Sequence, residues 1–403
     1  MIINYRTKVG FVFLVVSALL CYRASAQGDG VGGEPETTTD GRTGSRLIQA
    51  GVPFLLIAPD SRSGGMGEAG VAVSPDANSV HWNPSKLAFI DGPGGLSLSY
   101  SPWLQRLVPD INLAYLTGFY RLDERNVIGG SLRYFSLGDI EFINSVDDVP
   151  IPYSPNEFAI DATFARQFGE NFSLGTALRF IRSNLGTNLV SGTGAQIKPG
   201  TALAADVSAY FKKETILLGN DARLAAGLNI SNIGNKMSYV EGDDNKVFLP
   251  TNLRVGGAAT FFPDALSELT VILDINKLLV PSPPVTVTEN GSTTIVSGRD
   301  PSTLSVPAAI FGSFNDAPGG FKEEMQELSY STGLEYRYNK QFALRAGYIY
   351  EHPDKGNRNY LTLGAGLKYN VLNLDFAYIL ANQEKSPLAN TLRFTLLFNF
   401  IQK

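Results

Sequence analysis

Apolar and polar residues alternate along most of this chain. Between Thr391 and Phe400, Leu392, Phe394, Leu396, Phe398 and Phe400 fall on one face. Arg393, Thr395 and Asn399 fall on the other, with Leu397 the exception. A period of two marks a strand with one apolar and one polar face. Leu372, Leu374, Phe376 and Tyr378 stand in the same way against Asn373 and Asp375. So do Phe342, Leu344, Ala346, Tyr348 and Tyr350 against Arg345 and Gly347. Strands are predicted at 95–101, 111–121, 126–143, 157–168, 172–185, 201–213, 222–233, 251–262, 269–278, 327–338, 341–351, 359–369, 371–381 and 391–400. Most run about ten residues, the length that crosses a bilayer at a tilt.

The connections alternate in length. Tight ones are predicted at 122–125, 169–171, 263–268, 339–340 and 370, and long ones at 139–156, 186–200, 234–250 and 279–326. Short periplasmic turns and longer external loops produce this rhythm in outer-membrane barrels. The segment 214–221 fits least well, as a turn longer than its counterparts. Within 279–326, Asn290-Gly291 predicts a small hairpin. About fourteen strands, an even number, predict an all-β fold: a transmembrane antiparallel β-barrel. A soluble sandwich also alternates, so alternation by itself leaves that option open.

One stretch breaks the pattern. Residues 55–91 are rich in Gly, Ser and Ala and contain His81-Trp82-Asn83-Pro84-Ser85. The stretch is too interrupted for an ordinary helix or strand, which predicts a plug inside the barrel. Before it, Arg6 and Lys8 precede an apolar run from Val9 to Leu20 and the small residues Ala24-Ser25-Ala26. That reads as a secretory signal peptide cleaved near Ala26. The predicted organisation is a signal peptide at 1–26, a disordered lead-in at 27–46, a plug or hatch at 47–92, and a barrel at 93–403 with long external loops at 138–156 and 279–326.

Composition agrees with a membrane barrel. Charged residues make up 18 % of the 403 and aromatics 11 %, with 41 Gly; an average soluble protein has about 25 % charged residues. The net charge of -5 argues against a nucleic-acid partner. The single cysteine, Cys21, falls in the signal peptide, so the mature chain is expected to have no thiol chemistry. The two histidines, His81 and His352, lie in no metal-ligand spacing. No nucleophile elbow or carboxylate pair stands out, so neither enzyme activity nor a cofactor or metal is expected. Two loops place apolar residues where polar ones are usual: Trp103, Leu104, Leu107 and Val108 in one, and Phe142, Ile143, Ile151 and Tyr153 in the other. They are candidate partner-binding surfaces, with the alternative that they fold back onto the plug or lie in the membrane interface.

The motif Asn83-Pro84-Ser85-Lys86-Leu87-Ala88 is similar to the hatch motif of FadL-like barrels, with Ser85 at a position usually Ala. Ala58-Pro59-Asp60-Ser61-Arg62, Gly65-Met66-Gly67-Glu68-Ala69-Gly70, Trp82-Asn83-Pro84, and Ser101-Pro102-Trp103-Leu104 leading to Pro109-Asp110-Ile111-Asn112 resemble the PorV family of the type IX secretion system of Bacteroidetes. The resemblance implies a FadL-like outer-membrane shuttle. Such a shuttle binds the C-terminal signal domain of cargo leaving the SprA (Sov) translocon. It delivers cargo to the PorU sortase, with PorQ and PorZ, in a cell-surface attachment complex. It also implies Trp82, Asn83, Pro84 and Ser85 as the hatch motif and outer-membrane lipid as surroundings. The alternative is a FadL-like transporter of hydrophobic small molecules.

Overall fold

The computed structural model describes residues 46–103, 110–142, 151–186, 197–240, 246–289, 292–381 and 391–400. Its strands are β1 (Gly94–Pro102), β2 (Ile111–Arg121), β3 (Asn126–Leu137), β4 (Ile140–Phe142), β5 (Ile151–Tyr153), β6 (Asn156–Gln167), β7 (Phe172–Asn184), β8 (Gly200–Leu217) and β9 (Asn220–Gly234). They continue with β10 (Asn252–Phe262), β11 (Ser267–Leu278), β12 (Val285–Glu289), β13 (Ser292–Ser297), β14 (Leu328–Tyr338), β15 (Phe342–Tyr350), β16 (Asn359–Tyr369), β17 (Leu372–Ala381) and β18 (Leu392–Asn399). Fourteen of them close into one antiparallel barrel, in which β1 pairs with β18 and Leu96 stands opposite Phe398. Closure leaves no strand edge unpaired, the condition for sheet structure in lipid. Among the described residues no helix is long and apolar enough to cross a membrane.

The two faces separate as the alternation requires. Leu392, Phe394, Leu396 and Phe398 are exposed on the outer wall, while Arg393 and Thr395 are buried in the lumen. Leu397 breaks the polar series but keeps its parity, and it too is buried inside.

Three boundaries differ from the sequence expectation. The strand predicted at 126–143 ends at Leu137, because Gly138 takes a φ of 82°. Residues beyond it form the short β4–β5 pair. The long turn expected at 214–221 is only Leu218-Gly219, both at positive φ, so β8 and β9 extend further than predicted. Two positive-φ residues suit the right-handed twist of a hairpin. Finally, 279–326 is a folded insertion. It holds the hairpin β12–β13 and helices at Val306–Gly312 and Phe321–Gln326, and the last of these displaces the start of β14 to Leu328. Asn290 and Gly291, expected at that hairpin's turn, lie outside the described residues.

One end of the barrel carries the short turns and the other the long connections. The chain from Arg46 to Pro93 passes between them through the lumen. Gly51 N donates to Phe248 O at the loop end, and Arg121 N donates to Pro93 O at the turn end.

Candidate functional site

The lumenal segment holds its shape with single turns of helix. Asp60 begins one at Ser61–Gly64: its Oδ2 accepts from Ser63 N at 2.9 Å and its Oδ1 accepts from Trp82 Nε1 at 2.6 Å. One carboxylate thus caps a helical turn and fixes the buried indole. Asn83 is extended, at φ −166° and ψ 97°, and precedes a 3-10 turn at Pro84–Phe89. Its Nδ2 donates to Val71 O and to Ala209 O, both at 3.0 Å. Its Oδ1 accepts from Ser85 N at 3.1 Å. A buried side-chain amide can satisfy two carbonyls and an N–H at once, and a coil without sheet partners needs this. Pro84 and Ser85 are fully buried beside it, and Ser85 O accepts from Ser173 Oγ on β7 at 2.7 Å.

The barrel wall supplies the remaining partners. Asp274 Oδ2 on β11 accepts from Gly70 N and Val71 N at 2.7 and 2.9 Å. Lys86 Nζ donates to Gly70 O at 2.6 Å. Glu68 accepts from Arg393 on β18 at 2.8 Å and from Tyr360 on β16 at 3.0 Å. Arg133 on β3 donates to Leu55 O at 2.8 Å and meets His81 Nδ1 at 2.6 Å. Arginine can only donate, so the His81 Nδ1 is an unprotonated acceptor. Elsewhere backbone meets backbone directly. A Cβ on Gly347 would lie 2.0 Å from Gly67 N, and one on Gly227 2.2 Å from Val71 O.

The segment divides the lumen. A cavity of about 570 Å³ lies toward the turns, among Asp91, Lys212 and Lys340. A second of about 360 Å³ lies toward the loops, among Leu47, Trp103 and Arg358. The two share no lining residue.

At the loop end the 279–326 insertion stands on a cluster of charges. Lys277 Nζ contacts Glu324 and Glu327 at 2.9 and 2.8 Å, and Lys355 Nζ contacts Glu323 and Glu327 at 2.6 and 2.9 Å. Burial pushes the Glu327 carboxyl up, but Lys277, Ser282 and Lys355 outweigh it and hold the group below its ordinary range. On this base Phe311 is 80 % exposed and Phe321 79 %, with Phe314 also exposed. Sequence reading missed all three, having read the segment as loop. The available signal was Ser305 before Val306-Pro307: Ser305 caps the first helix, and proline fits its first turn.

The other singled-out residues are spread out. Trp103 is half-buried against the cluster of Val52, Phe54 and Leu113, with Arg393 over its ring at 5.6 Å. Phe142 pairs with Ile151 in the β4–β5 register. Tyr153 Oη donates to Asn184 Oδ1 at 2.7 Å. Leu104, Leu107, Val108 and Ile143 lie outside the described residues.

A family model described as type IX secretion system protein PorV matches residues 40–285, more than half of the chain. No curated protein matches the sequence. Similar solved structures include the toluene transporter TodX of Pseudomonas putida, at 12 % identity over 88 % of this chain and 98 % of that one, TM-score 0.47. A FadL homologue of Pseudomonas aeruginosa matches at 12 % over 88 % and 100 %, TM-score 0.47. The toluene transporter TbuX of Ralstonia pickettii matches at 14 % over 85 % and 98 %, TM-score 0.45.

Proposed function

The chain belongs to the PorV family of type IX secretion system proteins, an outer-membrane β-barrel of that machinery, and from this premise we propose that it is a non-enzymatic cargo carrier. It binds the C-terminal signal domain of a secreted protein at the SprA (Sov) translocon and brings it to the PorU sortase, with PorQ and PorZ. The observation that carries this reading is the pairing of an obstructed lumen with an insertion that displays Phe311, Phe314 and Phe321 outside it. Exposed aromatics on a folded support are what protein partners bind. Signal-peptide cleavage after Ala26 belongs to the same reading, and N-terminal sequencing of the mature protein tests it.

The alternative, passage of hydrophobic small molecules, needs a continuous route. The two described cavities share no lining residue, which favours the carrier reading. The deciding experiment is copurification of the tagged full chain from its own outer membrane. Recovery of cargo C-terminal domains and translocon, lost in the Phe311→Asp, Phe314→Asp, Phe321→Asp variant while the barrel stays inserted, is the expected result. Undiminished recovery from that variant removes the insertion as the contact surface. Loss of lipid uptake on deletion, with no cargo recovered from the wild type, removes the carrier reading.

A further inference from the structure

The cavity at the loop end contains a cation that the plug leaves unpaired. Arg254 on β10 stands opposite Asn276 on β11, which in turn stands opposite Ser329 on β14, and all three line the cavity. Arg254 Nε donates to Asn276 Oδ1 at 2.5 Å, and its guanidinium lies 4.4 Å over the Trp82 ring. Among the described residues no carboxylate forms an ion pair with it. The other charges lining the cavity are matched: Arg358 with Glu351 and Glu68, Lys355 with Glu327. Asp274, on the neighbouring strand, gives its Oδ2 to Gly70 and Val71 and has its Oδ1 unpartnered; its charge and that of Glu68 reach Arg254 through space without a contact. Elsewhere in the lumen Arg62, Arg179, Arg345 and Arg393 each hold a carboxylate, and Arg133 is taken up by the Leu55 carbonyl and His81. On the same cavity wall the fully buried Ser331 Oγ has no hydrogen-bond partner.

A half-buried guanidinium that no carboxylate contacts has donors to spare, and its planar fork matches a carboxylate. The rest of the lining is of two kinds. Leu47, Pro53, Ile57 and Trp103 are apolar, whereas Asn252 and Gln326 offer amides. An alkyl chain would leave those amides unpaired, whereas a peptide backbone would use them. The volume, about 360 Å³, is at the small end of ligand pockets and suits the end of a chain.

We propose that this cavity binds the terminal carboxylate and last apolar residues of a peptide, with Arg254 taking the carboxylate. The proposal rests on the carrier reading in that a cargo C-terminus is the natural source of such a group.

The test uses the full chain in detergent and its two tryptophans, Trp82 and Trp103, which flank the site, as a fluorescence probe. The ligand is a short Ala- and Val-rich synthetic peptide, as the free acid and as the C-terminal amide. The free acid is expected to bind at least about tenfold more tightly than the amide, with the difference abolished by Arg254→Gln and only partly retained by Arg254→Lys. Should Arg254→Gln not fold, the wild type still decides: the acid's advantage must fall away as pH drops through about 3.5, where a terminal carboxyl protonates. Equal binding of acid and amide, an unchanged preference in folded Arg254→Gln, or tighter binding of decanoate than of the peptide overturns the site. Cargo copurification without acid preference sinks this inference alone. Acid preference in a protein that never recovers cargo sinks the carrier reading alone.

Discussion

In the plug every residue from Ala58 to Val73 is buried, and the segment is built of Gly, Ala, Ser and a few charges anchored on the wall. In the 279–326 insertion the largest side chains, Phe311 and Phe321, face outward almost unprotected. Both regions are irregular and both interrupt the strand pattern, but they spend their polar groups differently. Plug carboxylates and amides satisfy plug backbone and tie it to the wall: Asp60 caps a turn, and Asn83 bridges Val71 of the plug to Ala209 on β8. The insertion gathers its charges at the base, around Lys277, Lys355 and Glu327, and keeps its apolar surface free. Irregular chain can therefore be recruited either to fill space or to present a surface, and the direction of the large side chains distinguishes the two: Trp82 is buried in the plug, whereas Phe311 and Phe321 are exposed on the insertion.

That contrast breaks most sharply at Glu68. Replacement by Ala leaves the buried Arg393 guanidinium without its carboxylate and should cost about 3–5 kcal/mol, read as a lowered urea midpoint of the detergent-folded barrel. Gly347→Val drives a side chain into the Met66–Gly67 backbone and should cost about 1–3 kcal/mol or more. Because it pushes on the plug, it should also raise conductance in planar bilayers. A closed, equally stable Gly347→Val barrel would mean that the plug is not tightly seated. Asn83→Ala takes a donor from the Val71 and Ala209 carbonyls, while the Ser85 N–H keeps Ser208 Oγ, for about 1–3 kcal/mol by the same urea titration. The smallest effect on stability belongs to Phe311→Asp with Phe321→Asp, within about 0.5 kcal/mol, because neither ring is packed. If that pair destabilises the barrel as much as Asn83→Ala does, the insertion is a structural element and the distinction fails.

Alternation made the wall readable because lipid and lumen impose opposite demands on adjacent residues. Even Leu397 obeyed the parity that its chemistry hides. The β8–β9 turn was misjudged because the polar residues there resemble a loop, while the pairing of Glu214 with Arg223 holds them as strand. The insertion helices show no period, since six or seven residues hold too few turns, and only the Ser305-Val306-Pro307 cap marks the first of them. Nor were the plug's partners legible. Asp274 is 204 residues from Gly70, and nothing in the spacing of either announces the contact. Arg254 was equally silent, because an inward arginine on a strand looks the same whether or not a carboxylate answers it.

The path of the chain also ties the plug to the seam of the barrel. Arg46 is tied to Glu323 at the loop end, and Gly94 opens β1 at the turn end, so the intervening residues cross the full height of the lumen before the first strand begins. The seam joins that first strand to the last, β18. A barrel that zipped shut while empty would have to draw its own leading segment up through the closed pore afterwards. The strand that closes the seam, β18, comes from the far end of the chain, and it pairs with the strand that begins where the plug ends.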